Sequence, residues 1–522
     1  MQKGEKFINL LITKLKTKIE WQYLIIVVVF GLFFALLVPP GFNHDEKEHY
    51  LRVNEIANGQ IIPQNIGHPT EWTKMVMGSD VTEDNLKDIP NAFYGGVVSE
   101  DVAKMLETGA AQTYSKDYHF SFPWWASSEF DDSGDIGINY GNKIEVANTN
   151  TAIYSPIVYL PQVIAVKAGQ LFNLSNSFTF ILSRLLGFLA TTLLIFLAIK
   201  LIPIGSLVFK RCIMFLCILP PMLIQLTAVS ADGMTVGICL LFTAVILRYI
   251  KKYQTKNSNL KNKDILVLCV LVFLIALLKI TYFPIICLLF SLPIACISLR
   301  DKNDIIKICS IFGFGVIVFF VWYLQINLIH VGQYYFGNKS DPAGQIDWVL
   351  ASSDNFNTGF HAIWNSLLDN RWDDTSASPV WVSLANEVPF RNIKVPGLLF
   401  VMLYFGFALV LVKSKKSDIK MNKILRTLIF LLGAGSIALI SIALYFEFTP
   451  VGMNSVWGVQ ARYYLPLIPL MIIPFFVTSA NKKISKKSLK IKQPKTLAIE
   501  IITVIYIISI LSVTIGCLHS IY

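Results

Sequence analysis

Trp21-Gln22-Tyr23-Leu24-Ile25-Ile26-Val27-Val28-Val29-Phe30-Gly31-Leu32-Phe33-Phe34-Ala35-Leu36-Leu37-Val38 carries no charge, and Pro39-Pro40-Gly41-Phe42-Asn43-His44-Asp45-Glu46-Lys47-Glu48-His49 follows at once. The first segment is long enough to cross a bilayer as a helix. The chain therefore leaves the membrane and immediately presents two adjacent carboxylates, Asp45 and Glu46. Acidic groups held at the mouth of a multi-helix bundle are one way to build a polar reaction site at a membrane surface.

The rest of the chain agrees with a membrane setting. Its 522 residues are 54% hydrophobic and 15% charged, with a mean hydropathy of +0.56. A soluble protein would carry about 25% charged residues, so the composition specifies an all-α polytopic membrane protein. Lys14, Lys16 and Lys18 precede the first apolar run and no small-residue cleavage site follows it, which predicts an uncleaved signal anchor. The net charge of +11 does not indicate nucleic acid. The basic residues sit in short loops between apolar runs, where they fix topology and face anionic lipid. Eight cysteines stand singly, almost all inside apolar runs, so neither zinc nor a disulfide framework is indicated.

Apolar runs occur near 21–38, 179–202, 208–229, 233–250, 264–281, 282–299, 305–330, 396–412, 424–447, 461–479 and 496–518. Basic loops run from Lys251 to Lys263, Arg300 to Lys307, Lys413 to Lys423 and Lys482 to Lys495. Placing all four in the cytoplasm puts the N-terminus inside and Tyr522 outside. Ser230-Ala231-Asp232-Gly233 then falls outside, with Asp45. Residues 157–174 are apolar but contain Gln162, Lys167 and Gln170, which suggests a partly embedded helix rather than a full crossing. Two long polar segments, 41–153 and 330–395, read as extracytoplasmic loops with a functional role. Residues 1–480 thus form one transmembrane module that includes both loops, and 481–522 a basic cytoplasmic loop and a final helix. Trp72, Trp124, Trp125, Trp348, Trp364, Trp372 and Trp381 crowd the two loops, either as an interfacial belt or for stacking on sugars.

Five motifs recur in order. They are Pro39-Pro40 with Asp45-Glu46, His49 and Arg52; Tyr154-Ser155-Pro156-Ile157-Val158-Tyr159; Ser230-Ala231-Asp232; Lys279-Ile280-Thr281-Tyr282-Phe283-Pro284; and Gln460-Ala461-Arg462-Tyr463-Tyr464-Leu465-Pro466. This order resembles domain-of-unknown-function family 2142 of bacterial polytopic membrane proteins, over about residues 21–480. His44 and Ala461 stand where that family's pattern has proline and glycine. The family in turn resembles GT-C glycosyltransferases. The resemblance implies a bundle of about 11–13 transmembrane helices in the bacterial plasma membrane, with an acidic pair in the first extracytoplasmic loop. It also implies a sugar taken from a polyprenyl-phosphate donor, with inversion, and delivered to a cell-envelope glycan.

The residues support such chemistry. An attacking hydroxyl must lose a proton, and Asp45 is the candidate general base. Glu46 would share that role, bind a metal or orient the acceptor, although adjacent residues seldom point the same way. The plainer reading makes Asp45, Glu46 and Glu48 a solvated first-turn cluster. Lys279 and Arg462, near one end of apolar helices, are expected to stabilise the leaving phosphate; snorkelling to the interface is the plainer role. Asp232 either holds Lys279 or Arg52, binds a donor hydroxyl, or caps a helix. Tyr154 and Tyr282 are hydroxyl donors to the donor phosphate or interfacial tyrosines. Helical spacing groups Asp45, His49 and Arg52. The acidic and histidine side chains at 44–49 could supply ligands for Mg²⁺ or Mn²⁺, with metal-independent action preferred. No glycine-rich phosphate loop appears, which argues against a cytoplasmic nucleotide-sugar reaction. A lipid-linked glycan flippase and a non-catalytic assembly scaffold are the competing readings.

Overall fold

The opening apolar run forms α1 (Ile19–Leu37), and Val38 breaks into extended backbone ahead of Pro39. A residue before proline is driven out of the helical region, and proline has no N–H to continue the ladder. This computed structural model describes residues 18–43, 45–67, 93–112, 119–127, 142–256, 258–328, 342–367, 393, 395–413, 416–479 and 496–522. His44, Trp72, Trp372 and Trp381, and the basic loop Lys482–Lys495, lie outside them.

The end of α1 is fastened from three directions. Arg184 donates to the carbonyls of Ala35, Val38 and Pro39. Trp124 Nε1 donates to Leu36 O at 2.8 Å, and Tyr522 Oη to Leu37 O at 2.7 Å. The last carbonyls of a helix have no partner within it, so buried ends need such donors. Gly41 turns the chain with φ +76, and α2 (Glu46–Ala57) begins after Asp45, itself left-handed at φ 57. A left-handed non-glycine residue costs of order 1 kcal/mol and persists only where its surroundings impose it. The turn leans on α3 (Glu100–Gln112), where a Cβ at Gly109 would lie 1.8 Å from Pro40 O. Only glycine allows that approach.

Beside α2 lies a small antiparallel sheet of β1 (Gln64–Gly67), β2 (Phe93–Ser99) and β3 (Lys143–Ala147), in that order. After it comes α4 (Leu160–Leu171), 12 residues long. At 1.5 Å per residue it reaches about 18 Å, short of a hydrocarbon core of about 30 Å. As a helix, 157–174 is thus too short to cross. It packs on α5 (Asn176–Leu201).

The remaining apolar runs divide into unbroken and broken helices. α6 (Leu207–Cys217) and α7 (Pro220–Thr227) are separated by a 72° bend, placed by Pro220 and Pro221. α8 (Asp232–Lys256) is unbroken and deeply buried. α9 (Asn262–Ala276) ends before Lys279, and a 3-10 segment, Ile280–Phe290, continues the path around Pro284. Then follow α10 (Lys302–Leu328), α11 (Pro342–Ala351), α12 (Ser353–Ser366), α13 (Gly397–Lys413), α14 (Lys423–Glu447), α15 (Ile468–Phe476) and α16 (Thr496–Ile521). Among the described residues, six helices are long and apolar enough to cross a membrane, and seven if the bent pair counts as one. That is fewer than the run count in the sequence: the runs at 282–299 and 461–479 are interrupted by Pro284, Pro466, Pro469 and Pro474, and those at 264–281 and 396–412 form helices of only 15 and 17 residues. The architecture is that of an all-α, multi-pass membrane protein.

The bundle has two chemically distinct ends. At one, Lys251 pairs with Asp418 at 2.6 Å, and Gln254 exchanges hydrogen bonds with the backbone of Lys420. Lys210 meets Glu20 there, at the start of α1. These contacts gather basic loops at the C-terminal end of α8. Asp45, Asp232, Lys279 and Arg462 collect at the opposite end.

Candidate functional site

Asp232 is the first residue of α8. Its N–H donates to Ser230 Oγ at 3.2 Å, which leaves the carboxylate free to turn toward cations from other segments. Oδ1 lies 2.5 Å from Lys279 Nζ, and Oδ2 lies 2.8 Å from Arg462 Nε. The second contact is an ion pair without the alignment of a hydrogen bond. Asp232 thus holds Lys279, not Arg52, and does so together with Arg462.

Lys279 occupies the break between α9 and the 3-10 segment, where extended backbone interrupts the helical path. Its ammonium stands 4.9 Å from the ring centroids of both Tyr154 and Tyr463. Aromatic faces attract a desolvated cation within about 6 Å. Arg462 lies in the 3-10 turn Ala461–Tyr464, with its guanidinium carbon 5.2 Å from the Tyr463 centroid. Nη2 reaches Asp45 Oδ2 at 2.6 Å. Nη1 is buried and has no hydrogen-bond partner among the described residues. Lys279, Arg462 and Asp232 are all buried, whereas the Asp45 side chain is 28% exposed. Asp45 is therefore the most open of the four charges.

His49 follows Asp45 by one helical turn. Its ring stacks on Tyr154 at 5.9 Å, and Nδ1 is 2.6 Å from Tyr159 Oη. Burial, and then the charge of Lys279, pushes its pKa down to about 3. The imidazole is thus neutral near pH 7 and supports the Tyr154 ring rather than adding a cation. Burial likewise raises the Tyr154 phenol, which keeps it protonated.

Three expected site residues are engaged elsewhere. Arg52, one further turn along α2, is fully buried and donates to Glu55, to Gln60 O and to Ile61 O. It fastens α2 to the segment leading into β1, so helical spacing groups His49 with Asp45 but not Arg52. Tyr282 donates its hydroxyl to Tyr463 O at 2.8 Å and buttresses the Arg462 turn. Glu46 is fully buried. Its Oε1 accepts from Arg184 Nε at 2.8 Å and from Val229 N at 2.9 Å. Its Oε2 accepts from Arg184 Nη2 at 2.6 Å and from Asn43 at 3.2 Å. A carboxylate so saturated has no oxygen to offer a substrate or a metal. Asp45 and Glu46 face different partners, as adjacency leads one to expect.

Arg184 is the residue that motif reading passed over. It lies inside the 179–202 apolar run, and a charge there is a signal of function or of a buried partner. The Arg184–Glu46 pair joins α1, α2, α5 and the segment before Asp232. It therefore fixes Asp45 and Asp232 on either side of Arg462.

Two cations and two carboxylates make a compact, nearly neutral cluster. An incoming anion finds one unused guanidinium donor and one exchangeable carboxylate. Asp45 and Asp232 already face cations, and no group of three metal-ligating side chains occurs among the described residues, which do not include His44.

The model of one protein family, described as predicted membrane protein (DUF2142), matches residues 28–471. No curated protein and no solved structure matches the chain. The match takes in every residue of the cluster.

Proposed function

This chain belongs to the DUF2142 family of predicted membrane proteins, and we propose that it is an integral-membrane glycosyltransferase. It moves a sugar from a polyprenyl-phosphate donor to a cell-envelope glycan on the extracytoplasmic face of a bacterial plasma membrane. One observation carries the reading: Asp45, Asp232, Lys279 and Arg462, from four separate segments, meet at the end of the bundle opposite the basic loops. If basic loops face the cytoplasm, the cluster faces outward.

In the reaction, the acceptor oxygen forms a bond to the anomeric carbon while the bond from that carbon to the donor phosphate oxygen breaks. The acceptor proton passes to Asp45, and polyprenyl phosphate departs with the electron pair. Arg462 binds phosphate oxygens as a planar fork, and Lys279 adds a point charge held in place by Asp232 and two tyrosine rings. Preorganised cations of this kind stabilise charge that grows in the transition state. A carboxylate paired with a guanidinium is a weak base. Phosphate that takes over Arg462 Nη1 and Nη2 makes Asp45 a stronger one.

The 72° break between α6 and α7 is a feature also found in carriers, and it favours the flippase alternative. Vesicles containing the purified protein, a polyprenyl-phosphate sugar and an envelope glycan separate the two. A transferase releases free polyprenyl phosphate; a flippase or scaffold releases no more than vesicles without protein.

A further inference from the structure

α11 and α12, of 10 and 14 residues, reach only about 15 and 21 Å at 1.5 Å per residue, too short to cross. α12 has three faces. Gly359, Ala362 and Ser366 are buried, and Gly359 packs on α14, where an added Cβ would stand 3.1 Å from Tyr445 Oη. Asp354, Asn357, His361 and Asn365 form an exposed polar face. Between these, Phe356, Phe360 and Trp364 recur every four residues, each 55% exposed. Leu350 and Ile346 of α11 are exposed as well.

We infer that α11 and α12 lie in the membrane plane, with Phe356, Phe360 and Trp364 seated in the headgroup–acyl boundary. The occupant of this face is lipid. Gly359 joins α12 to the last turns of α14, a spanning helix whose own exposed face carries Leu439 and Ile442. The aromatic stripe thus continues a surface that already meets lipid. A stripe of aromatics beside a polar face suits that boundary. The only charged residues of the pair are Asp347 and Asp354, so attachment is apolar and independent of anionic lipid.

The placement matters for the cluster. Gln345 Oε1 accepts from Gly452 N at 3.0 Å, the Trp348 ring lies against Gly452, and Tyr445 Oη donates to Met453 O at 3.2 Å. That loop leads directly into the turn bearing Arg462. The helix pair therefore ties the arginine's loop to the bilayer surface, whatever reaction the cluster performs.

The test uses the full chain in phosphatidylcholine vesicles, with Cys287→Ala and Cys309→Ala as background. An environment-sensitive fluorophore is attached at Phe360→Cys, or at Trp364→Cys should the first variant fold poorly, and at His361→Cys for comparison. Doxyl-labelled lipid should quench position 360 or 364 about three-fold more than 361, and aqueous iodide should reverse the order. Added anionic lipid should change neither. Equal access of iodide to both faces overturns the inference, as does protection of 360 from both quenchers, which would mean a protein partner or second copy covers it.

Discussion

Arg462 and Asp45, 417 residues apart in the chain, meet at 2.6 Å. The contact joins the first loop to the turn before α15 and occupies the donor that a phosphate would need. Under the proposed bidentate binding, in which phosphate takes over both Nη1 and Nη2, anion binding and release of Asp45 from Arg462 are one event, and this coupling makes the proposal testable.

Asp45→Asn removes the competitor for Arg462. A partly exposed ion pair is worth about 0.5–1 kcal/mol, so farnesyl phosphate should bind the variant about two- to five-fold more tightly than the wild type. Arg462→Gln should weaken binding. Titration calorimetry in detergent reads both, with inorganic phosphate as the headgroup-only control. Weaker binding by Asp45→Asn would show that the carboxylate helps to hold the ligand instead.

The Arg184–Glu46 pair is fully buried, and removal of one member leaves a charge without its partner. Arg184→Ala or Glu46→Ala should cost about 3–5 kcal/mol, whereas replacing both with apolar residues of similar volume should recover much of the loss. Thermal unfolding in detergent checks the pattern. If the two single losses simply add in the double variant, the residues do not act as a pair.

His49 makes stability depend on pH. Its folded pKa, about 3, lies below the unfolded value near 6.5. Between these values the unfolded chain binds a proton that the folded chain refuses. This contribution is complete above about pH 6.5 and declines as pH falls toward 3. His49→Gln should flatten that part of the stability curve relative to the wild type. Parallel curves for the two proteins across the window would contradict the assignment.

Gly109 allows α3 to touch the Pro39–Gly41 turn. Because the obstructing atom, Pro40 O, is backbone, Gly109→Ala should cost about 1–3 kcal/mol and shift Asp45 away from Arg462. Lower melting temperature together with altered farnesyl phosphate affinity is expected; unchanged values for both would show that the turn adjusts freely.

Much of this was legible in the sequence, for physical reasons. An uncharged run followed by Pro39-Pro40 announces a span and its end. Lys279 and Arg462 stand out because charges within apolar runs are rare, and Asp45 and Asp232 because each sits in a short polar stretch beside such a run. The partners of those charges could not be read, since proximity between α8 and the 461–464 turn is created only by packing. Glu46 and Arg52 illustrate the limit. Helical spacing placed Arg52 with Asp45, and the paired carboxylates suggested a shared role for Glu46, but Glu55 and Arg184 supply buried partners that draw both away. Helix interruption was equally hidden, because hydropathy counts apolar residues and not the N–H groups missing at Pro284, Pro469 and Pro474.

The most direct measurement is the rate of polyprenyl phosphate release by wild-type and Asp45→Asn protein in vesicles, with farnesyl phosphate binding measured on the same samples. Loss of a general base should lower the rate about 10²- to 10⁴-fold while binding is retained or strengthened. Equal release rates from the two proteins would contradict the account.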